Sequence, residues 1–129
     1  MEMIVRPFTT EDYPVVQHWW HLKTGGCGFP PAELLSSDGL MIDDVCAIWV
    51  YLASNAPFAY IAWSVAMPDA APTRVAKGLE MVLAEAEAVA RRAGAKIIMI
   101  PHQYKSMHRL LEKCEYLRGE DTTLFLKGI

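Results

Sequence analysis

The chain has no long hydrophobic run. Its longest, Val45 to Ala53, gives way to Asn55 and Pro57 and falls far short of the roughly 20 apolar residues that cross a bilayer. A membrane-spanning role is therefore not expected. The opening Met1-Glu2-Met3-Ile4-Val5-Arg6-Pro7 lacks the basic and apolar regions of a secretion signal, which argues against export. Cysteine is scarce: Cys27, Cys46 and Cys114 are odd in number and form no C-x-x-C pair, so neither a zinc site nor a redox motif is expected, and a reducing cytoplasm suits them. Positive charge is not in excess either. Fifteen acidic against twelve basic residues give a formal charge of −3, which offers no global attraction for phosphate backbones or anionic lipid and makes nucleic acid an unexpected partner. No repeat, low-complexity tract or linker divides the 129 residues, so 1–129 is read as one domain, long enough to bury about two-thirds of its unfolded surface.

What is present is an alternation of strand and helix signals. An apolar fraction of 53% against 21% charged residues supports a real core. Ile4 and Val5 lead through Pro7 to Thr9-Thr10-Glu11-Asp12, whose hydroxyls and carboxylates open a helix. That helix carries Val15, Val16, Trp19 and Trp20, tolerates Pro14 only in its first turn, and should end near Leu22. Three glycines and two prolines between Thr24 and Pro31 break regular structure, and a short helical turn follows at Ala32 to Leu35. Leu40 to Ile42, Val45 to Ala53 and Phe58 to Met67 read as an antiparallel meander. From Thr73 the period changes, with Val75, Leu79, Val82, Ala86, Val89 and Ala93 marking an amphipathic helix that Gly94 terminates. Lys96 to Ile100 reads as a short buried strand in a parallel crossover. A last helix puts Met107, Leu110, Leu111 and Cys114 on one face, and Thr122 to Lys127 returns as a strand.

This order resembles the GNAT acetyltransferase superfamily over essentially the whole chain. Three local segments carry the likeness: Ile4-Val5-Arg6-Pro7 before Thr9-Thr10-Glu11-Asp12, Ala90 to Lys96 before Ile97-Ile98-Met99, and Leu110-Leu111-Glu112-Lys113-Cys114-Glu115-Tyr116, which is similar to the family's closing L-x-E-K-x-G-F. The resemblance implies an α/β (α+β) fold with a mixed, mostly antiparallel central sheet and helices on both faces. It also implies acetyl transfer from acetyl-CoA, as cosubstrate, to an amine on a small molecule or a protein, with a homodimer as one assembly. Within the superfamily, the tryptophans near the meander and the Trp63 to Pro68 segment are similar to small GNAT-like proteins encoded in tailed-phage genomes.

The family holds the CoA pyrophosphate on a Q/R-x-x-G-x-G/A loop after the fourth strand, where free amides and a helix N-terminus attract an anion. The corresponding residues are Arg74, Val75, Ala76, Lys77 and Gly78. Arg74 fits the first position, Val75 and Lys77 stand where glycine is usual, and Gly78 is one residue out of register. Main-chain groups of Val65, Ala66 and Met67 are the expected acyl-binding edge. The family's tyrosine, which protonates the departing thiolate, aligns with Leu111. Tyr104 and His102, just past the fifth strand at its carboxyl end, are the local catalytic candidates. Trp20, in an aromatic wall, and Asp43, in a turn able to meet a cationic amine, are the substrate-binding candidates. The same signals have blander readings: tryptophans as core, His18 and His21 as surface residues, Cys27 as an incidental loop thiol. A GNAT-fold module that binds or assembles without catalysis is the rival to the enzyme.

Overall fold

A computed structural model describes residues 2–26, 28–102, 105–119, 125 and 127–128, without the side chains of Lys105 and Ser106. Among the described residues five strands form one sheet in sequence order: β1 (Arg6–Pro7), β2 (Asp38–Ile42), β3 (Cys46–Leu52), β4 (Phe58–Ala66) and β5 (Ile97–Met99). The first four are antiparallel neighbours, as the apolar runs and polar turns of the meander predict. The β4–β5 pair is parallel, because a helix of 21 residues, α2 (Pro72–Arg92), carries the chain back between them.

Helices cover both faces. One face carries Leu40, Ile42, Ile48, Val50, Ala59 and Ile61 against Val82, Leu83, Ala86 and Ala90 of α2, with Met107 and Leu111 of α3 (Lys105–Lys113) completing the cluster. The other face carries Met41, Ala47, Trp49 and Val65 against Val16 and Trp19 of α1 (Tyr13–Thr24). Each fully buried Val, Leu or Ile contributes about 1.5–3 kcal/mol relative to exposure.

α1 begins with Pro14 in its first turn and runs to Thr24, beyond the expected end near Leu22. It stops because Gly25 adopts a left-handed φ of 71° and returns its N–H to the His21 carbonyl at 2.9 Å. Gly94, one residue past the Ala93 cap of α2, is also left-handed, with φ 86°, and donates its N–H to the Arg91 carbonyl at 3.0 Å. β5 corrects one expectation. It is not a buried strand: Ile97 and Met99 are 64% and 53% exposed, and only Ile98 turns toward the core cluster. An apolar run reads as buried from composition alone, yet in the last strand of the described sheet two of its residues face outward. The expected strand at Thr122 to Lys127 lies outside the described residues.

β4 contains the irregularity that shapes everything around it. Ala47 faces Val65 and Trp49 faces Ala62, so Ile48 alone stands opposite both Trp63 and Ser64. The extra residue is accommodated by Trp63 at φ 63°, a left-handed backbone that costs a bulky side chain roughly 1–2 kcal/mol. Its consequence is an inverted alternation. Before the bulge the odd residues Ala59 and Ile61 pack on the α2 side, whereas after it Trp63 and Val65 pack on the α1 side and Ala66 on the α2 side.

Candidate functional site

The carboxyl ends of β4 and β5 part company. Their parallel register covers Phe58 to Tyr60 against Ile97 to Met99, and β4 then continues to Ala66 beside β3 only, among the described residues. Strand divergence of this kind opens a crevice at the carboxyl edge of a sheet. Ile48, Ile61, Ala62, Trp63, Ser64, Ile100, Pro101 and His102 line it, and its volume is about 10 Å³, room for about one water molecule.

His102 closes this crevice. Its Nε2 lies 2.8 Å from the Ser64 hydroxyl, and its carbonyl lies 2.6 Å from Nε2 of His108. Burial first, then electrostatic repulsion from Lys23 and His108, pushes the imidazole down to about 4, so it is neutral near pH 7. The sequence singled out His102 for its place after the fifth strand. It gave no sign of Ser64, which the bulge brings opposite. Tyr104, the other catalytic candidate, lies outside the described residues, as does Cys27.

Past the bulge, Met67 donates its N–H to the Val45 carbonyl at 2.9 Å. In an antiparallel ladder successive residues point alternately to either side, so the Ala66 N–H is turned away from β3 toward the gap beyond β5. Val65 is buried on the α1 face, and its contribution is packing as well as pairing with Ala47.

Residues 74–78 do not form a loop. They lie in the first two turns of α2, whose N-terminal neighbour Ala71 provides no side-chain cap. Val75 already donates to the Ala71 carbonyl at 3.0 Å, while the N–H groups of Thr73 and Arg74 have no hydrogen-bond partner among the described residues. The first turn contains no acidic residue, and Arg74 and Lys77 place positive charge where the helix dipole is already positive. Gly78 has a packing role. It is buried, and a Cβ there would sit 2.6 Å from Cγ1 of Val45, so the missing side chain lets α2 lie close on β3. Leu111, at the family's tyrosine position, is a core residue at 8% exposure.

The two substrate-binding candidates part ways. Asp43 sits in the β2–β3 turn with Oδ1 2.6 Å from Nη2 of Arg6, which also grips Asp12 at 2.8 Å, so its charge is already engaged. Trp20 is half-buried in an aromatic cluster: its ring centroid lies 5.3 Å from Phe29 and 6.0 Å from Trp63. Trp19 takes the core-facing position. Phe29 is the centre of the cluster, touching Tyr13, Trp20, Trp49 and Trp63. The Tyr13 hydroxyl donates to the Pro30 carbonyl at 2.7 Å, so the glycine-rich segment is held against α1 by this pair. His18 and His21 are exposed on α1.

No protein-family model matches the chain, and no curated protein sequence does. Solved structures do. An acetyltransferase from Trypanosoma brucei superposes with a TM-score of 0.68 at 14% identity, covering 98% of this chain and 99% of its own. An aminoglycoside acetyltransferase from an uncultured soil metagenomic sample, in complex with sisomicin, gives 0.65 at 11% identity over 98% and 96%. A GNAT family acetyltransferase from Staphylococcus aureus gives 0.51 at 16% identity over the whole of both chains. The fold of this chain is that of the GNAT acetyltransferases.

Proposed function

We propose that the protein is an N-acetyltransferase that takes its acetyl group from acetyl-CoA and passes it to an amine. One observation carries the reading: the uncapped N-terminus of α2, with the Thr73 and Arg74 amides unpaired among the described residues, bears Arg74 and Lys77 and no carboxylate. Basic residues at that end weaken a helix unless an anion offsets them, and a diphosphate is such an anion. Arg74 and Lys77 would therefore hold the pyrophosphate of the cosubstrate, and the Ala66 N–H, turned away from β3, would be available to its thioester carbonyl.

In the overall reaction the amine nitrogen forms a bond to the thioester carbonyl carbon and the carbon–sulfur bond breaks. Sulfur leaves with the electron pair and acquires a proton, giving an amide and free CoA. The protein's part is to hold the groups in line and to move protons. His102, neutral near pH 7 with its conjugate acid near 4, is too weak a base to deprotonate an ammonium and is proposed to orient Ser64 through their 2.8 Å contact, while Tyr104 is the proposed donor to the leaving sulfur. The free thiols Cys46 and Cys114 support a reducing, cytoplasmic setting. Among the described residues no helix is long and apolar enough to cross a membrane.

A second reading, a GNAT-fold module that binds a ligand or partner without catalysis, is favoured by the crevice of about 10 Å³ that the Ser64–His102 contact spans. Release of free thiol from acetyl-CoA in the presence of a broad panel of amines separates the two. Amine-dependent thiol release that is lost in an Arg74→Ala, Lys77→Ala double variant supports the enzyme; a folded protein that releases none with any amine supports the module.

A further inference from the structure

We propose that the groove beside Trp63 on the α1 face is a binding site for an aromatic ring, and that the acceptor is an amine carried on such a ring by a short chain. The groove holds about 330 Å³ and is lined by Pro30, Leu34, Tyr51, Tyr60 and Trp63. That volume lies at the small end of ligand sites and suits one or two fused rings with a short substituent. Five lining residues are far fewer than the roughly 20–30 per side of a protein–protein interface, so the occupant is a small molecule.

The walls are set in advance. Tyr51 and Tyr60 are direct partners across β3 and β4, and the Tyr51 hydroxyl donates to the Leu34 carbonyl at 2.9 Å, tying the far wall to the sheet. Trp63 is turned to this side by the bulge, and its ring packs on Trp20 and Phe29. A rigid wall loses little freedom when a ring settles on it, and aromatic faces prefer aromatic or apolar partners. The lining is almost wholly apolar, so ring contact rather than a polar group would hold the ligand.

Charge points the same way. Among the described residues no acidic side chain lines the groove, and Asp43, the carboxylate expected to meet a cation, is engaged with Arg6. A polycationic acceptor would find nothing here to replace its hydration. Trp63 also lines the crevice that holds Ser64 and His102, so one residue borders both places. The amine half of the proposal rests on the acetyl-transfer reading; the ring half does not.

Quenching of tryptophan fluorescence by titration, without acetyl-CoA, tests the ring half. The probes are 2-phenylethylamine, its ring-saturated analogue 2-cyclohexylethylamine, hexylamine and an aminoglycoside. Phenylethylamine is expected to bind at least tenfold more tightly than hexylamine and the aminoglycoside, and severalfold more tightly than the saturated ring. Leu34→Lys, at a side chain 61% exposed and so safe for folding, should weaken phenylethylamine binding at least tenfold, with Tyr60→Ala as the second variant. Equal binding of hexylamine, no saturable binding to the folded protein, or indifference to both variants overturns the proposal. Ring-selective binding with no thiol release from acetyl-CoA leaves the groove standing and removes the acetyl-transfer reading. Thiol release with every amine alike removes the groove and leaves that reading.

Discussion

The Ser64 hydroxyl and Nε2 of His102, 38 residues apart in sequence, meet at 2.8 Å across the point where β4 and β5 stop pairing. The contact substitutes for ladder hydrogen bonds that the diverging strands cannot make. Ser64→Ala should therefore lower stability by about 1 kcal/mol, read as a shifted urea midpoint with an unchanged slope. An unchanged midpoint would show that the two strands are held there by packing alone.

His102 should also make stability depend on pH in a specific window. An unfolded imidazole takes up its proton near 6.5, whereas burial, Lys23 and His108 delay protonation in the folded protein to about 4. Between these values the unfolded chain binds more protons, so stability is full above about pH 6.5 and falls as pH drops toward 4. Urea midpoints at pH 7, 5.5 and 4.5 should decline in the wild type and decline less in His102→Gln. A His102 ring resonance titrating near 6.5 would contradict this.

Arg6 joins three segments. Its guanidinium holds Asp12 with both terminal nitrogens at 2.8 Å and reaches Asp43 in the β2–β3 turn. Hydrogen bonds from Arg6 first, then from the Thr9 backbone and hydroxyl, hold the Asp12 carboxyl well below the usual carboxylate range. Arg6→Met should cost about 1–3 kcal/mol, while Asp43→Asn, at a side chain 71% exposed, should cost no more than about 1 kcal/mol. Asp12 has a depressed folded pKa, so its contribution is full above about pH 4 and is lost on further acidification. The gap between wild type and Arg6→Met should narrow there in thermal melts.

Gly78 gives a test of packing against ligand contact. A Cβ would meet Cγ1 of fully buried Val45 at 2.6 Å, so Gly78→Ala should destabilise by about 1–3 kcal/mol despite the roughly 1 kcal/mol that alanine gains in a helix. Thermal denaturation reads this as a fall of several degrees. A rise in melting temperature would mean that α2 sits farther from the sheet than described.

Much of this architecture is legible in the residues. The 3.6-residue recurrence from Val75 to Ala93 marks α2, the turn residues Asp43-Asp44 and Ser54 to Pro57 divide the meander, and Gly94 stops α2 where a left-handed residue is needed. What escapes is set by long-range geometry. The bulge at Trp63 inverts the facing of Trp63 and Val65, and no local pattern announces it, since tryptophan disfavours that backbone. Arg74 to Gly78 read as a phosphate loop through their correspondence to the family's motif, yet helix packing against Val45 explains Gly78 as well. Asp43 looks free in sequence because its partner lies 37 residues away. Ser64 became visible only when folding placed His102 beside it.

Calorimetric titration of acetyl-CoA into the wild-type protein and into the Arg74→Ala, Lys77→Ala double variant tests the central claim most directly. The amides and charges at the start of α2 should give saturable binding with a Kd below about 1 mM, weakened about tenfold or more in the double variant, a loss of roughly 1.4 kcal/mol. No binding heat at millimolar acetyl-CoA, or the same affinity in both proteins, would contradict it.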